Sequence, residues 1–291
     1  MTGGELSRGR SQSGTAQDMV GAPVGGVQAF PASRRPWGVW FFLGLVGASL
    51  LALVATPWPL AAKLYAAAHG LCAQRPSHSF AFGGVNLPFD ARMTGIYGGV
   101  VITGGFLLAR GRSRAVRPPR LAILVALGLF VAVMGADGVN STLQDFKLPY
   151  LYEPDNRVRL ATGLLMGTTV AVALGYLLNW TLWTAVADTP LLRGWRELGA
   201  ILALHGLFFG AVASGWGALY LPVALTIVGG AVAVVLAIAL AMLVLIYGRE
   251  NRFTRPADLA GFASAALLLG YAAMATLAAL RFYLERVVGL A

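Results

Sequence analysis

Polar side chains that could do chemistry gather in two stretches of an otherwise apolar chain. The first stretch runs from Cys72 to Tyr97, and the second runs from Asp137 to Gly163. Arginine can bind carboxylate or phosphate groups through its planar fork of donors. Cysteine, histidine and aspartate can bind a metal or support a nucleophile. The candidate polar site comprises Cys72, Gln74, Arg75, Ser79, Asp90, Arg92, Tyr97, Asp137, Asn156, Arg159 and Thr162.

Arg92 and Arg159 are the strongest candidates, because each stands at the start of an apolar run, at the depth of Asp137. An unpaired charge at the middle of a bilayer costs roughly 3 kcal/mol or more. Two interpretations of Asp137 stay open. It is either a counter-ion that ties helices together, or the one acid beside two arginines in a net positive pocket. Arg92 is likewise either a snorkelling interfacial residue or a cation directed at an anionic group.

Neutral side chains of the same stretches could add hydrogen bonds to such a pocket. Gln74 and Thr162 have the required donors and acceptors. Asn156 is expected to cap the N-terminus of a helix. Tyr97 is expected to be an aromatic residue at the membrane interface.

A metal site and a nucleophile are less well supported. His69, Cys72, His78 and Asp90 are suitable ligand types, but their spacing matches no recognised motif. Nothing in the sequence positions an oxyanion site beside Cys72. We therefore expect no metal, no cofactor and no catalytic residue. His205 stands alone in an apolar run, and we expect it to make a hydrogen bond between helices.

The composition indicates an integral membrane protein. Hydrophobic residues make up 57% of the 291 residues and charged residues only 12%, whereas soluble domains carry about 25% charged residues. The net charge of +10 could suggest a nucleic-acid partner. The arginines, however, lie in short loops beside apolar runs, so membrane topology and anionic lipids explain them better. We expect membrane lipids as partners and no nucleic acid. A single cysteine excludes an intrachain disulfide.

The apolar runs predict an all-α, multi-pass membrane protein with about seven transmembrane helices. We expect a disordered cytoplasmic tail at 1–36 and a transmembrane domain at 37–291, with a tight hairpin between the fifth and sixth spans and a short helix from Leu60 to His69. The expected spans are 37–56, 92–109, 120–138, 159–180, 197–214, 219–247 and 257–280.

Seven spans place fourteen of the 22 basic residues on one side of the membrane. The positive-inside rule makes that side, and with it the N-terminus, cytoplasmic. The polar stretches then face outward, and we expect a bacterial inner (plasma) membrane. These fourteen residues are Arg8, Arg10, Arg34, Arg35, Arg110, Arg112, Arg114, Arg117, Arg120, Arg193, Arg196, Arg249, Arg252 and Arg255.

The order of several residues also carries a family resemblance. They are Cys72, Gln74, His78-Ser79-Phe80, Leu87-Pro88, Arg92, Gly95-Ile96-Tyr97, Asp137-Gly138 and Asn156-Arg-Val-Arg159-Leu-Ala-Thr162-Gly163. This pattern resembles the domain of unknown function 2085 family of uncharacterised prokaryotic multi-pass membrane proteins, over about residues 60–180. The resemblance implies a membrane location and no known reaction, substrate or cofactor. Ala73 and Asp90 replace a histidine and a second cysteine of the family, which weakens a metal or thiol-pair interpretation.

Three classes of function remain open from the sequence. The first is a protein that binds or carries an anionic lipid or small anion through Arg92 and Arg159. The second is a structural or accessory subunit of a membrane complex, whose partners would be other membrane subunits. The third is a membrane enzyme acting on a lipid-linked substrate, for which no triad, paired carboxylate or metal motif is visible. The pattern Gly163-Leu-Leu-Met-Gly167 predicts close helix packing, within the chain or in a dimer.

Overall fold

Eight α-helices make up most of the chain that the structure describes. The structure is a computed structural model that describes residues 36–288, so the expected disordered tail at 1–36 lies outside the described residues except for Pro36. The helices are α1 (Pro36–Ala55), α2 (Leu60–Ala68), α3 (Ala91–Ala109), α4 (Leu121–Asp145), α5 (Asn156–Leu182), α6 (Trp195–Ala213), α7 (Tyr220–Ile246) and α8 (Ala260–Val288). Two small ribbons accompany them: β1 (Ala81–Phe82) pairs with β2 (Val85–Asn86), and β3 (Ala115–Arg117) pairs with β4 (Ala187–Pro190).

Seven of these helices are long and apolar enough to cross a membrane. The exception is α2, which agrees with the short helix expected at Leu60–His69. The α6–α7 connection is also as short as expected and contains one helical turn at Gly217–Leu219. The prediction of an all-α, multi-pass protein with seven spans is confirmed. The cytoplasmic position of the N-terminus stays a prediction.

The third span is longer than expected. It was predicted to end at 138, but α4 continues to Asp145. At about 1.5 Å per residue its 25 residues extend for about 37 Å, more than the roughly 30 Å thickness of a bilayer core. The last two turns can therefore be polar without lying in hydrocarbon. The prediction that the span ends beside Asp137 was therefore wrong. Asp137 lies inside α4, about two turns before its end.

Glycines bring α3 and α5 together. A Cβ atom added at Gly163 would lie 2.3 Å from the carbonyl oxygen of Arg92, and one at Gly167 would lie 2.4 Å from that of Ile96. On the facing helix, a Cβ at Gly95 would lie 2.4 Å from the carbonyl oxygen of Leu160. Only glycine allows these backbones to approach so closely. The Gly163–Gly167 motif thus packs within the chain.

The basic loops meet at one end of the helices. The α3–α4 loop and the α5–α6 loop join through the parallel pairing of β3 with β4. The α7–α8 loop joins them through a bridge between Trp183 and Phe253 and a 2.6 Å hydrogen bond from Arg114 to the carbonyl of Thr254. The loop between α1 and α3 lies at the opposite end, where Gly83 donates to the carbonyl of Gly215 in the α6–α7 turn. The two polar stretches therefore share the end away from the basic loops.

Candidate functional site

A polar cavity of about 160 Å³ lies at the end of the helices opposite the basic loops. It is bounded by the loop before α3, the N-termini of α3 and α5, and the C-terminal turns of α4. Four of the predicted site residues line it: Arg75, Asp90, Arg92 and Arg159. The full lining is Ala73, Arg75, His78, Asp90, Arg92, Ser141, Thr142, Asp145 and Arg159.

Arg92 forms an ion pair with Asp137 below the cavity. Its Nη2 atom donates to the carboxylate of Asp137 at 2.5 Å and to the hydroxyl of Ser141 at 3.2 Å. Asp137 is only 2% exposed and also accepts a 2.6 Å hydrogen bond from the hydroxyl of Tyr152. Burial and this hydrogen bond raise the pKa of Tyr152 to about 12, so the phenol stays a donor. The charge of Arg92 is therefore compensated inside the protein.

Arg159 lies in the same cavity without such compensation. Its side chain is buried, with 5% exposure. Among residues 36–288, the structure gives its guanidinium one hydrogen bond, to the side-chain oxygen of Asn156 at 2.9 Å, and no ion pair. An arginine has five N–H donors, so most of this guanidinium's hydrogen-bonding capacity is unused within the described chain.

The cavity's carboxylates are engaged elsewhere. Asp90 caps α3, where it accepts from the backbone N–H of Met93 at 2.8 Å. Asp145 pairs at 2.8 Å with Arg75 on the exposed rim. His78 also lines the cavity, and burial together with the positive charge of Arg159 lowers the pKa of its imidazole. Arg159 is therefore the cation in this lining that no carboxylate of the described chain neutralises.

Cys72 stands behind Asp90 rather than in the cavity wall. Its thiol donates to the second carboxylate oxygen of Asp90 at 3.3 Å. Burial, and then the negative charge of Asp90, raises the pKa of the Cys72 thiol to about 11. The thiol is therefore protonated at neutral pH and is a poor nucleophile or metal ligand. Within the described residues, no group of three or more histidine, cysteine, aspartate or glutamate side chains is placed to hold a metal ion.

Gln74 supports the loop that carries the cavity. Its amide nitrogen donates to the carbonyls of Tyr65 and Pro88, both at 2.8 Å, and its oxygen lies 2.8 Å from Nδ1 of His69. These bonds hold its backbone in the left-handed region, at φ 52°. From α8, Arg281 donates to the carbonyls of residues 69, 72 and 73. The start of the loop is thus fastened to α2, to the segment just before α3 and to α8.

The structure places the other predicted site residues around the cavity or away from it. Ser79 donates its hydroxyl back to the carbonyl of Arg75. Thr162 donates to backbone carbonyls of its own helix. Tyr97 packs in the apolar core, with its ring 4.8 Å from that of Phe89, rather than at an interface.

Asn156 does not cap α5, so that prediction was wrong. The neighbouring Asp155 is the cap, and its carboxylate accepts from the backbone N–H of Arg157 at 2.5 Å. Asn156 is the first residue of α5 and not its cap, so its side chain makes other hydrogen bonds. It donates to the carbonyl of Ser77 at 3.0 Å and orients Arg159, thereby joining α5 to the cavity loop.

Several lining residues were missed by the sequence analysis. Ser141 and Asp145 on α4 have a signal that could have found them, because they follow the predicted residue Asp137 at intervals of four residues. Residues at this spacing share one face of a helix. Thr142 also lines the cavity, beside that face. His78 was considered as a metal ligand or as a partner of a catalytic cysteine, and not as part of the anion pocket.

Comparisons with known proteins match this part of the chain. Residues 72–173 match the model of a family described as predicted membrane protein (DUF2085). No curated protein and no solved structure matches the chain. The matched third of the chain contains every residue that lines the cavity. The protein is a multi-pass membrane protein that resembles the predicted membrane protein family DUF2085 over the region that builds the polar cavity.

Proposed function

We propose that the polar cavity binds an anionic group, a phosphate or a carboxylate, with Arg159 as its principal cation. The observation that carries this proposal is the guanidinium of Arg159, a residue only 5% exposed, which lines the cavity without a carboxylate partner in the described chain. A buried charge is expensive unless it is paired and hydrogen-bonded. A bound anion would supply both, because the planar fork of arginine fits either group with two parallel bonds.

The size and chemistry of the cavity suit a group of this kind. Its volume of about 160 Å³ is more than ten times the roughly 10–15 Å³ that one ordered water requires. The hydroxyls of Ser141 and Thr142 and the imidazole of His78 are additional hydrogen-bonding groups in the lining. A phosphate has enough oxygen atoms to accept from Arg159 and from such neighbours together. A lipid headgroup or a free anion in solution could supply the anionic group that this cavity would bind.

Arg92 has a different role in this proposal. Its ion pair with Asp137 leaves it little capacity to balance a ligand, although its buried Nε atom has no partner among the described residues. Removing Arg92 would leave the carboxylate of Asp137, which is 2% exposed, without its partner, at a cost of about 3–5 kcal/mol. Arg92 therefore fixes the floor of the cavity, and Arg159 is the better residue to change when binding is tested.

The proposed site faces the extracytoplasmic side of a bacterial inner (plasma) membrane. Three basic loops lie together at the opposite end of the helices, and the positive-inside rule would make that end cytoplasmic. Cysteine accessibility scanning with a membrane-impermeant reagent, at positions introduced on each face, would test the orientation.

The binding proposal is tested by titration calorimetry of the purified protein in a neutral detergent. The probes are inorganic phosphate, short-chain phosphatidylglycerol and short-chain phosphatidylcholine. Heat from phosphate would identify a small-anion site, and heat from phosphatidylglycerol alone would identify a headgroup site. Either binding should be lost in Arg159→Gln.

A matched control is available on the same helix. Arg157 carries the same charge two residues earlier, is exposed, and does not line the cavity. Arg157→Gln should bind as the wild type does. Absence of binding to both anionic probes, or equal binding by Arg159→Gln, would overturn the proposal.

One observation favours the second class of function, an accessory subunit of a membrane complex. No residue of the α1 span is fully buried by the rest of the described chain, although its mean hydropathy is 2.2 and several of its residues are half-buried. A helix with such exposed sides can pack against another protein or face lipid. Site-specific photocrosslinking from Leu51, which is 66% exposed, would yield a protein adduct in the first case and lipid adducts in the second.

A further inference from the structure

A second, larger cavity opens between α3, α5 and α7 near the basic end of the helices. Its volume is about 540 Å³ and its walls are almost entirely apolar. The residues that bound it on α3 and α5 belong to the C-terminal halves of those spans, so it lies in the half of the protein away from Arg159. We call this cavity the lateral cleft. Its lining includes Val100, Leu108, Leu174, Leu178 and Val234.

Two glycines keep the lateral cleft open. A Cβ atom added at Gly104 or Gly105 would meet nothing within 4 Å. They differ from Gly95 and Gly99 earlier in the same helix, where an added Cβ would lie within 2.6 Å of the α5 backbone. The first pair of glycines brings helices together, whereas the second pair leaves space. A larger side chain at Gly104 would occupy the cleft without displacing a helix.

One end of the cleft is polar and basic. Arg112, Ser113 and Asn179 line that end, beside the ring of Trp183. The Nε atom of Arg112 is buried and has no partner among the described residues. Arg114 lies with its guanidinium carbon 5.1 Å from the Trp183 ring centre. Arg112 is already paired with Glu197 at 2.9 Å, so the cleft combines an apolar channel with one cation, Arg114, next to its Trp183 wall.

We infer that the lateral cleft binds an anionic phospholipid, with an acyl chain along its walls and the headgroup at Arg114 and Ser113. Among the described residues, Arg114 donates to a backbone carbonyl and forms no ion pair, so it can neutralise a phosphate. The cleft is formed by membrane-spanning segments, where lipid chains are the surrounding solvent. Anionic headgroups are attracted to basic residues at the cytoplasmic surface. This inference does not depend on the proposed anion site, which lies at the other end of α3 and α5.

Native mass spectrometry with added phosphatidylglycerol or phosphatidylcholine tests the inference. Wild-type protein in mild detergent should retain phosphatidylglycerol in preference to phosphatidylcholine. Gly104→Leu fills the cleft and should reduce the retained lipid by about tenfold, equivalent to about 1.4 kcal/mol. Ala237→Leu fills the cleft from its α7 wall and should also reduce the retained lipid. Agreement between the two variants would show that the loss does not come from a folding defect in one of them.

Gly128→Leu is the matched control, because Gly128 is exposed on α4 and an added Cβ there also meets nothing within 4 Å. It should retain lipid in the lateral cleft as the wild type does. Arg114→Gln should abolish the preference for phosphatidylglycerol. Equal lipid retention by the wild type and both cleft-filling variants, or an unchanged headgroup preference in Arg114→Gln, would overturn the inference.

Discussion

Replacing Gly163 with alanine should separate the two helices that carry the cavity arginines. The new Cβ atom would lie 2.3 Å from the carbonyl oxygen of Arg92 and 3.0 Å from the Cα atom of Gly95. Ordinary van der Waals contact begins near 3.4 Å. The backbones must therefore move apart by about 1 Å, since neither is a flexible side chain that could turn away.

The expected loss of stability follows from this clash. Overpacking a close-packed interior costs about 1–3 kcal/mol, and alanine in a helix offsets about 0.5–1 kcal/mol of that cost relative to glycine. Gly128→Ala should gain the helix-propensity stabilisation without any overpacking cost, because its added Cβ meets nothing within 4 Å. The two variants should therefore differ by about 1–3 kcal/mol in the free energy of unfolding, with Gly163→Ala the less stable.

Thermal unfolding in detergent, followed by size-exclusion chromatography of the protein that remains folded, measures this difference. Gly163→Ala should unfold at a lower temperature than the wild type, and Gly128→Ala at the same or a higher temperature. An unfolding temperature for Gly163→Ala at or above that of Gly128→Ala would refute the intramolecular packing of α3 on α5. The Gly163 motif would then be available for contact between copies of the chain.

Two further predictions concern other parts of the described structure. Cys72 should resist maleimide at pH 8 in the folded protein and react after denaturation, because its thiol pKa is raised to about 11; rapid labelling of the folded protein would contradict its burial beside Asp90. Glu197→Gln should lower the free energy of unfolding by about 3–5 kcal/mol, because it leaves the guanidinium of Arg112, 5% exposed, without its carboxylate partner at 2.9 Å. Asp188→Asn, which breaks an exposed ion pair with Arg117, should have a much smaller effect in the same thermal assay, and equal effects would contradict the account.

The sequence was sufficient to predict the transmembrane spans, because a long run of apolar residues is a strong signal for a span. It also predicted the short helix before the cavity and the grouping of basic loops at one end, since both follow from helix count and charge. The end of α4 was misplaced because polar residues from Ser141 onward continue the helix beyond the bilayer core. Hydropathy indicates where the hydrocarbon core of the bilayer ends, but it does not indicate where the helix ends.

The arrangement of the candidate site was harder to predict than its residues. The sequence placed Arg92, Asp137 and Arg159 at one depth, but both interpretations of Asp137 stayed open because pairing depends on packing between helices. The structure pairs Asp137 with Arg92 and leaves Arg159 with Asn156 alone in the described chain. The position of Tyr97 in the apolar core could not be predicted either, since an aromatic residue near a helix end is common both at the membrane interface and in the core.

Native mass spectrometry of the protein extracted from its own membrane in mild detergent tests the central claim most directly. The comparison is between the wild type, Arg159→Gln and Arg157→Gln. The account predicts a discrete bound anionic mass on the wild type and on Arg157→Gln, and its loss from Arg159→Gln. If no bound anionic mass is lost from Arg159→Gln alone, whatever lipid the lateral cleft retains on all three proteins, the result would contradict an anion site at Arg159.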